Sequence, residues 1–243
     1  MTKKSSDDGR FYLISENLKA VRETLCEALA RAGRREGDAR LMAVTKTVDA
    51  ERVNFAVSQG VDLIGENRVQ EFLEKRGDLN LSGCEAHLIG HLQSNKANKI
   101  VGAVDMIQSV DSIAIAKKIS DCSLARSLVT GVLIEINIGE EAAKSGFLRE
   151  RALEAAHEIS GLPGVRVEGL MCVPPAGCGE EETDRYFASM HKLFIDIGSK
   201  RWDNCNMHIL SQGMSDDYER AAANGSTLVR IGSAIFGSRA VRP

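Results

Sequence analysis

Eight short apolar runs, separated by helical segments, constrain the fold of this 243-residue chain more than any other feature. They are residues 41–45, 61–64, 86–89, 106–110, 132–138, 165–171, 207–210 and 227–231. Several are apolar at consecutive positions, so both faces need covering, as in a parallel sheet flanked by helices. Between the runs lie helical stripes. Leu18, Val21, Leu25 and Leu29 precede the first run, and Phe187, Met190, Phe194 and Ile197 recur at three-to-four spacing. The second stripe starts after Gly179-Glu180-Glu181-Glu182, an acidic first turn that suits the positive end of a helix. Eight strand–helix units in roughly 250 residues are the complement of a (β/α)8 TIM barrel. A doubly wound open sheet uses the same alternation with fewer strands and is the competing architecture. No internal repeat, low-complexity stretch or linker divides the chain. The expectation is one α/β barrel domain over residues 1–243 with an extra N-terminal helix, residues 1–10 being a flexible polar tail.

Composition narrows the partners. The chain is 43% hydrophobic and 27% charged with a formal net charge of -3, which provides no electrostatic attraction for nucleic acid or anionic lipid. No window reaches the apolar length of a membrane span, and the N-terminus lacks the apolar core of a signal peptide. The six cysteines include no C-x-x-C pair and stand among apolar neighbours, the usage of a reduced cytosol. His87 and His91 are four apart, but Gly90 and the strand-like run before it do not make a helical metal pair. A cytoplasmic, metal-free protein is expected.

Chemistry enters at Lys46. Leu41–Thr45 reads as a buried strand, and Lys46 stands where it opens to solvent, before Thr47-Val48-Asp49-Ala50-Glu51 leads into a helix start. Partial desolvation there disfavours the ammonium and lowers its pKa, and a neutral amine forms Schiff bases with carbonyls. The alternative is a snorkelling lysine that keeps its charge in water.

In TIM barrels a phosphate often sits between the loops after strands seven and eight. Here those loops are Ser211-Gln212-Gly213-Met214-Ser215 and Gly232-Ser233-Ala234-Ile235-Phe236-Gly237. The helix after Ser215 opens Asp216-Asp217-Tyr218-Glu219, so carboxylates already answer its positive end. The turn at Gly232 carries no acid and leaves its N–H groups to an anion. Gly232 and Ser233 are therefore the expected phosphate seat, with Ser211 and Gly213 closing the other side. Arg230 lies in the otherwise apolar run Leu228-Val229-Arg230-Ile231, and a buried guanidinium requires an acceptor. That acceptor is either a neighbouring carboxylate or an atom of a bound cofactor. A reactive lysine, a phosphate cradle and a strand-borne arginine together describe a site for pyridoxal 5'-phosphate, with Arg230 facing the pyridine nitrogen.

Ala43-Val44-Thr45-Lys46-Thr47, Gly65-Glu66-Asn67-Arg68-Val69-Gln70-Glu71 and His87-Leu88-Ile89-Gly90-His91-Leu92-Gln93-Ser94-Asn95-Lys96 resemble the pyridoxal phosphate homeostasis protein family. Lys144-Ser145-Gly146, Gly169-Leu170-Met171, Gly213-Met214-Ser215-Asp216-Asp217 and the segment from Val229 to Gly237 resemble it too. The likeness runs from about Ser15 to Arg239. It implies a cytosolic, monomeric, single-domain barrel, similar to the barrel of alanine racemases without their β-rich second domain. It also implies pyridoxal phosphate on Lys46, Asn67 near it, Arg230 at the ring nitrogen, and phosphate contacts from Ser211, Gly232 and Ser233. The chain departs from the family at Thr45 and Ser233, where serine and threonine are frequent, and at Gln212, where an apolar residue is expected.

Two functions remain: a non-catalytic carrier in vitamin B6 and amino-acid homeostasis, passing cofactor to apo-enzymes, and an amino-acid racemase. A racemase needs acid–base groups on both faces of the substrate Cα. Lys46 serves one, but Tyr12, Tyr186 and Tyr218 all lie in N-terminal or helical contexts. With no second domain, water reaches the cofactor face, and a cationic Arg230 opposes protonation of the ring nitrogen. These points favour the carrier. An aldolase acting on a sugar phosphate shares Lys46 and the phosphate seat but leaves Arg230 unexplained. Lys96 and Lys144 read as ordinary solvated charges.

Overall fold

The computed structural model describes residues 3–237, with side chains from Gly9 onward. Its strands are β1 (Arg40–Val44), β2 (Leu63–Glu66), β3 (Glu85–Leu88), β4 (Met106–Val110), β5 (Thr130–Asn137), β6 (Phe147–Leu148), β7 (Val165–Cys172), β8 (Cys205–Ser211) and β9 (Leu228–Ile231). All pairings are parallel, and β4 also pairs with β5. The sheet therefore closes in the order β1-β2-β3-β4-β5-β7-β8-β9, with the two-residue β6 laid beside β5. The eight-stranded barrel is formed, and the open sheet is excluded by this closure.

The helices are α1 (Lys3–Arg31), α2 (Ala50–Ser58), α3 (Val69–Lys75), α4 (Ser94–Ile100), α5 (Ile113–Leu124), α6 (Ala152–Ser160), α7 (Glu180–Gly198), α8 (Tyr218–Ala223) and α9 (Ser233–Phe236). Within the expected tail, residues 3–10 belong to α1, and Met1 and Thr2 lie outside the described residues. Gly9 is the weakest helix former in that stretch and does not interrupt it. The stripe on α1 seals the barrel where the last helix, α9, is only four residues long. Leu18, Val21, Leu25 and Leu29 are buried, α1 packs on α8 and α9, and Asn17 Nδ2 donates to the Ile235 carbonyl at 2.9 Å. Each such large apolar side chain contributes about 1.5–3 kcal/mol by leaving water.

Strand alternation divides the core. Ala43, Ile64, Val132, Ile134, Val167 and Val229 face the helices in one large cluster. Met42, Leu63 and Leu228, with Met106, Leu133 and Met171, fill the barrel interior. The interior set is what places the site, because every second residue beyond it on each strand points into the C-terminal mouth. β2 ends two residues later than its apolar run, at Glu66, which is fully buried. A glutamate closes an apolar pattern to sequence reading, yet it is tolerated here because Lys75 pairs with it.

Candidate functional site

Lys46 follows β1 in the Thr45–Val48 turn and is half-buried at the mouth. Asn67 immediately follows β2, and its Oδ1 is buried without a hydrogen-bond partner among the described residues. Gly90, after β3, presses against it: a Cβ there would lie 2.1 Å from the Asn67 carbonyl oxygen. Only glycine permits this approach, so the β3 loop sets the height of Asn67.

On β9, Arg230 is buried and donates from one guanidinium nitrogen to Ser211 Oγ at 2.7 Å and from another to the Cys172 carbonyl at 2.8 Å. Ser211 Oγ in turn donates to Gln108 Oε1 at 2.7 Å, and Gln108 Nε2 meets His87 Nδ1 at 2.9 Å. This polar line crosses the barrel from β9 to β3 and spends the Ser211 hydroxyl on Arg230 and Gln108. Burial lowers the Arg230 pKa, with Cys172, Asp217 and Glu135 opposing. The guanidinium nonetheless stays cationic. Burial also pushes the Cys172 thiol up to about 12, which leaves it inert as a nucleophile.

At the β9 end, the Gly232 and Ala234 N–H groups both donate to Ser215 Oγ at 3.3 Å. Gly213 turns the neighbouring loop at φ +93°, and its carbonyl accepts from the Arg230 N–H at 3.0 Å. At the acidic helix start, Asp217 Oδ1 accepts from the Met214 N–H of the preceding loop at 2.6 Å rather than capping the first amides of α8. The structure thus brings Lys46, Asn67, Arg230, Gly232 and Ser233 to one end of the barrel, with Gly213 beneath. Ser211 lies deeper, beside Arg230. Ser211, expected to close the other side of the phosphate seat, has its hydroxyl on Arg230 and Gln108, while Ser215, which the sequence reading did not single out, holds the turn amides. Its acidic neighbours masked it, although its Gly-Met-Ser context was legible. Gln212 points away from the mouth, donating to the Asn224 and Phe187 carbonyls at 3.3 and 3.5 Å, so it ties α7 and α8 to the barrel.

Sequence reasoning looked only to tyrosines for a second proton carrier. Tyr186 sits on α7 against Glu182, and Tyr218 is buried on α8. The mouth instead carries Glu135, inward-facing on β5 and opposite β1 across the barrel, and a His91–Asp111 pair at 2.7 Å. Burial, aided by Asp111 and opposed by Arg230 and His91, pushes the Glu135 carboxyl up to about 7 from 4.5. The folded chain then holds a proton in this range that the unfolded chain releases, so stability falls as pH rises from about 4.5 to about 7. Glu135→Gln is expected to remove that loss. Thermal melts should show the variant more stable than its parent at pH 8, by on the order of 1–3 kcal/mol, and equal to it near pH 4. Equal melts at both pH values would contradict the burial of this carboxyl.

Residues 17–240 match the alanine racemase N-terminal domain, the class that the barrel and its mouth define. The chain is 39% identical over 224 residues to the pyridoxal phosphate homeostasis protein of Aquifex aeolicus, covering 92% of this chain and 97% of the relative. It is 38% identical over 229 residues to that of Escherichia coli K12, covering 93% and 97%. The solved structure of PipY from Synechococcus elongatus with PLP bound matches with a TM-score of 0.80 at 30% identity, over 92% of this chain and 100% of that one. The chain belongs to the pyridoxal phosphate homeostasis protein family.

Proposed function

We propose that this chain binds pyridoxal 5'-phosphate at the barrel mouth and serves vitamin B6 and amino-acid homeostasis as a cytoplasmic, monomeric carrier without turnover of its own. The observation that carries this reading is the convergence of Lys46, the buried Arg230 and the acid-free Gly232–Ala234 amides on one mouth. The relatives named for pyridoxal phosphate homeostasis, and a solved neighbour with PLP bound, support it. The residues fit such a group. Asn67 Oδ1 lacks a partner among the described residues, and two amides share one hydroxyl at a length that an anion improves on.

When bound, the cofactor supplies an aldehyde for a primary amine, a phosphate, and a ring nitrogen whose protonation controls electron withdrawal. Lys46 is the amine that holds it covalently. The Gly232, Ser233 and Ala234 turn takes the phosphate together with the Ser215 hydroxyl, and Gly213 shapes the facing loop. Ser211 and the Cys172 carbonyl fix the Arg230 guanidinium toward the ring nitrogen, where its charge disfavours a second proton. Binding without the electron sink of a racemase suits hand-over to apo-enzymes. The six unpaired cysteines support a reducing compartment.

Racemase activity is the second reading, favoured by Glu135 and the His91–Asp111 pair opposite Lys46. A panel of L- and D-amino acids incubated with the loaded protein separates the two, with racemisation, transamination and decarboxylation followed together beside Lys46→Ala. No sustained product is expected. Turnover lost in both Lys46→Ala and Glu135→Gln would establish the racemase reading instead.

A further inference from the structure

The structure assigns Lys75, which lies outside the barrel on α3, the task of holding the turn that presents Lys46; we propose it as a positioning residue, on the reading of Lys46 as the covalent anchor. The turn does not hold itself. Val48 N–H donates to the Thr45 carbonyl at 3.1 Å, closing a turn with Lys46 and Thr47 at its corners. Thr47 sits at φ +62°, in the left-handed region that a β-branched residue avoids. Such a conformation persists only where its surroundings over-determine it.

Those surroundings come from α3 and the end of β2. Lys75 Nζ donates to the Thr45 carbonyl at 2.8 Å and to the Val48 carbonyl at 3.2 Å, the two carbonyls that bracket Lys46 and Thr47. Glu71, one helical turn before Lys75, accepts the Thr47 N–H. Glu66 Oε1 accepts from the Thr45 hydroxyl and pairs with Lys75, whose charge Glu71 also faces at 3.5 Å. The Lys75 side chain is 12% exposed and that of Glu66 0%. Two buried charges are costly unless paired and hydrogen-bonded, and here the cation meets Glu66 and Glu71 and gives two of its hydrogen bonds to a single turn. Glu66 also precedes Asn67, so one clasp sets both the Lys46 turn and the exit of β2. The Gly65–Glu71 motif thereby acquires a use for Glu66 and Glu71.

The test separates placing the amine from shaping the rest of the mouth. Lys75→Met/Glu66→Gln removes the clasp without stranding a buried carboxylate, and Lys75→Arg keeps charge and donors. Each protein, once shown folded by circular dichroism, is given pyridoxal phosphate, and the adduct at Lys46 is trapped with borohydride and counted by mass. In parallel, 4-deoxypyridoxine phosphate, which lacks the aldehyde, reports binding by phosphate and ring alone. The expected result is trapping at Lys46 slowed on the order of 10- to 100-fold, with the deoxy analogue's affinity within about 3-fold and recovery in Lys75→Arg. Unchanged trapping, or an equal loss of both ligands, overturns the proposal. If the double variant does not fold, Glu71→Met, which removes the Thr47 acceptor together with the carboxylate that faces Lys75, must still slow trapping severalfold, and an unchanged rate there overturns it. Wild-type protein that gives no adduct on Lys46 refutes the anchor reading, and this inference falls with it.

Discussion

Lys46→Ala is expected to leave the barrel intact and to abolish covalent capture of pyridoxal phosphate. Lys46 stands beyond the end of β1 and is half-buried, so its truncation removes little core, and the melting free energy should stay within about 1 kcal/mol of the parent. Loss of the covalent bond should weaken binding at least ~100-fold, which is about 2.7 kcal/mol or more. Borohydride reduction followed by peptide mass analysis locates the adduct. Other lysines near the mouth are engaged elsewhere: Lys75 with backbone carbonyls, and Lys144 with Glu141 and the Pro174 carbonyl at 3.3 Å. An adduct on either of them, or undiminished affinity in Lys46→Ala, would return Lys46 to the role of a snorkelling surface charge.

Arg230→Met is expected to have the largest effect on stability. Methionine fills much of the volume, but the Cys172 carbonyl loses its donor and Ser211 keeps only Gln108. Glu135 and Asp217 also lose the cation that offsets their burial. Together these costs amount to about 2–4 kcal/mol in denaturant unfolding at pH 7. The Glu135 carboxyl should rise above its present value, because Arg230 is the larger of the two cations lowering it. The fall of stability with pH then extends further into the alkaline range than in the parent. On the proposed reading of Arg230 as the residue at the ring nitrogen, the same change removes that charge, so bound pyridoxal phosphate should show an altered absorption spectrum. A variant as stable as its parent, with the same pH dependence, would show that Arg230 is not the counter-charge of this mouth.

The barrel was legible because its signal is local and repeated. Runs that are apolar on both faces must lie in a sheet covered twice, and eight of them with helices between admit few closures. Lys46 and Arg230 were legible for a related reason, since a cation in an apolar run has to be explained by something outside the run. The Gly232 turn stood out by its lack of acids beside the acidic start after Ser215. These features the chain declares by itself, because each depends on neighbours in sequence.

What only the tertiary structure decided depends on which strands meet across the barrel. Ser211 ends β8, and Ser215 lies four residues further on in the loop that follows. Closure against β9 and β4 gives the first to Arg230 and Gln108 and the second to the Gly232 and Ala234 amides. Gln212, between them, faces α7 and α8 because alternation turns it outward. Glu135 reads as an interruption of an apolar strand until β5 is set opposite β1 and its carboxyl shares the mouth with Arg230. Glu71 and Lys75 look like ordinary helix-surface charges in sequence, and Glu66 like the polar end of a strand. They become a buried clasp only when α3 packs behind the turn that carries Lys46. Charge burial and hydrogen-bond direction are properties of contacts between distant segments, and local pattern carries no record of them.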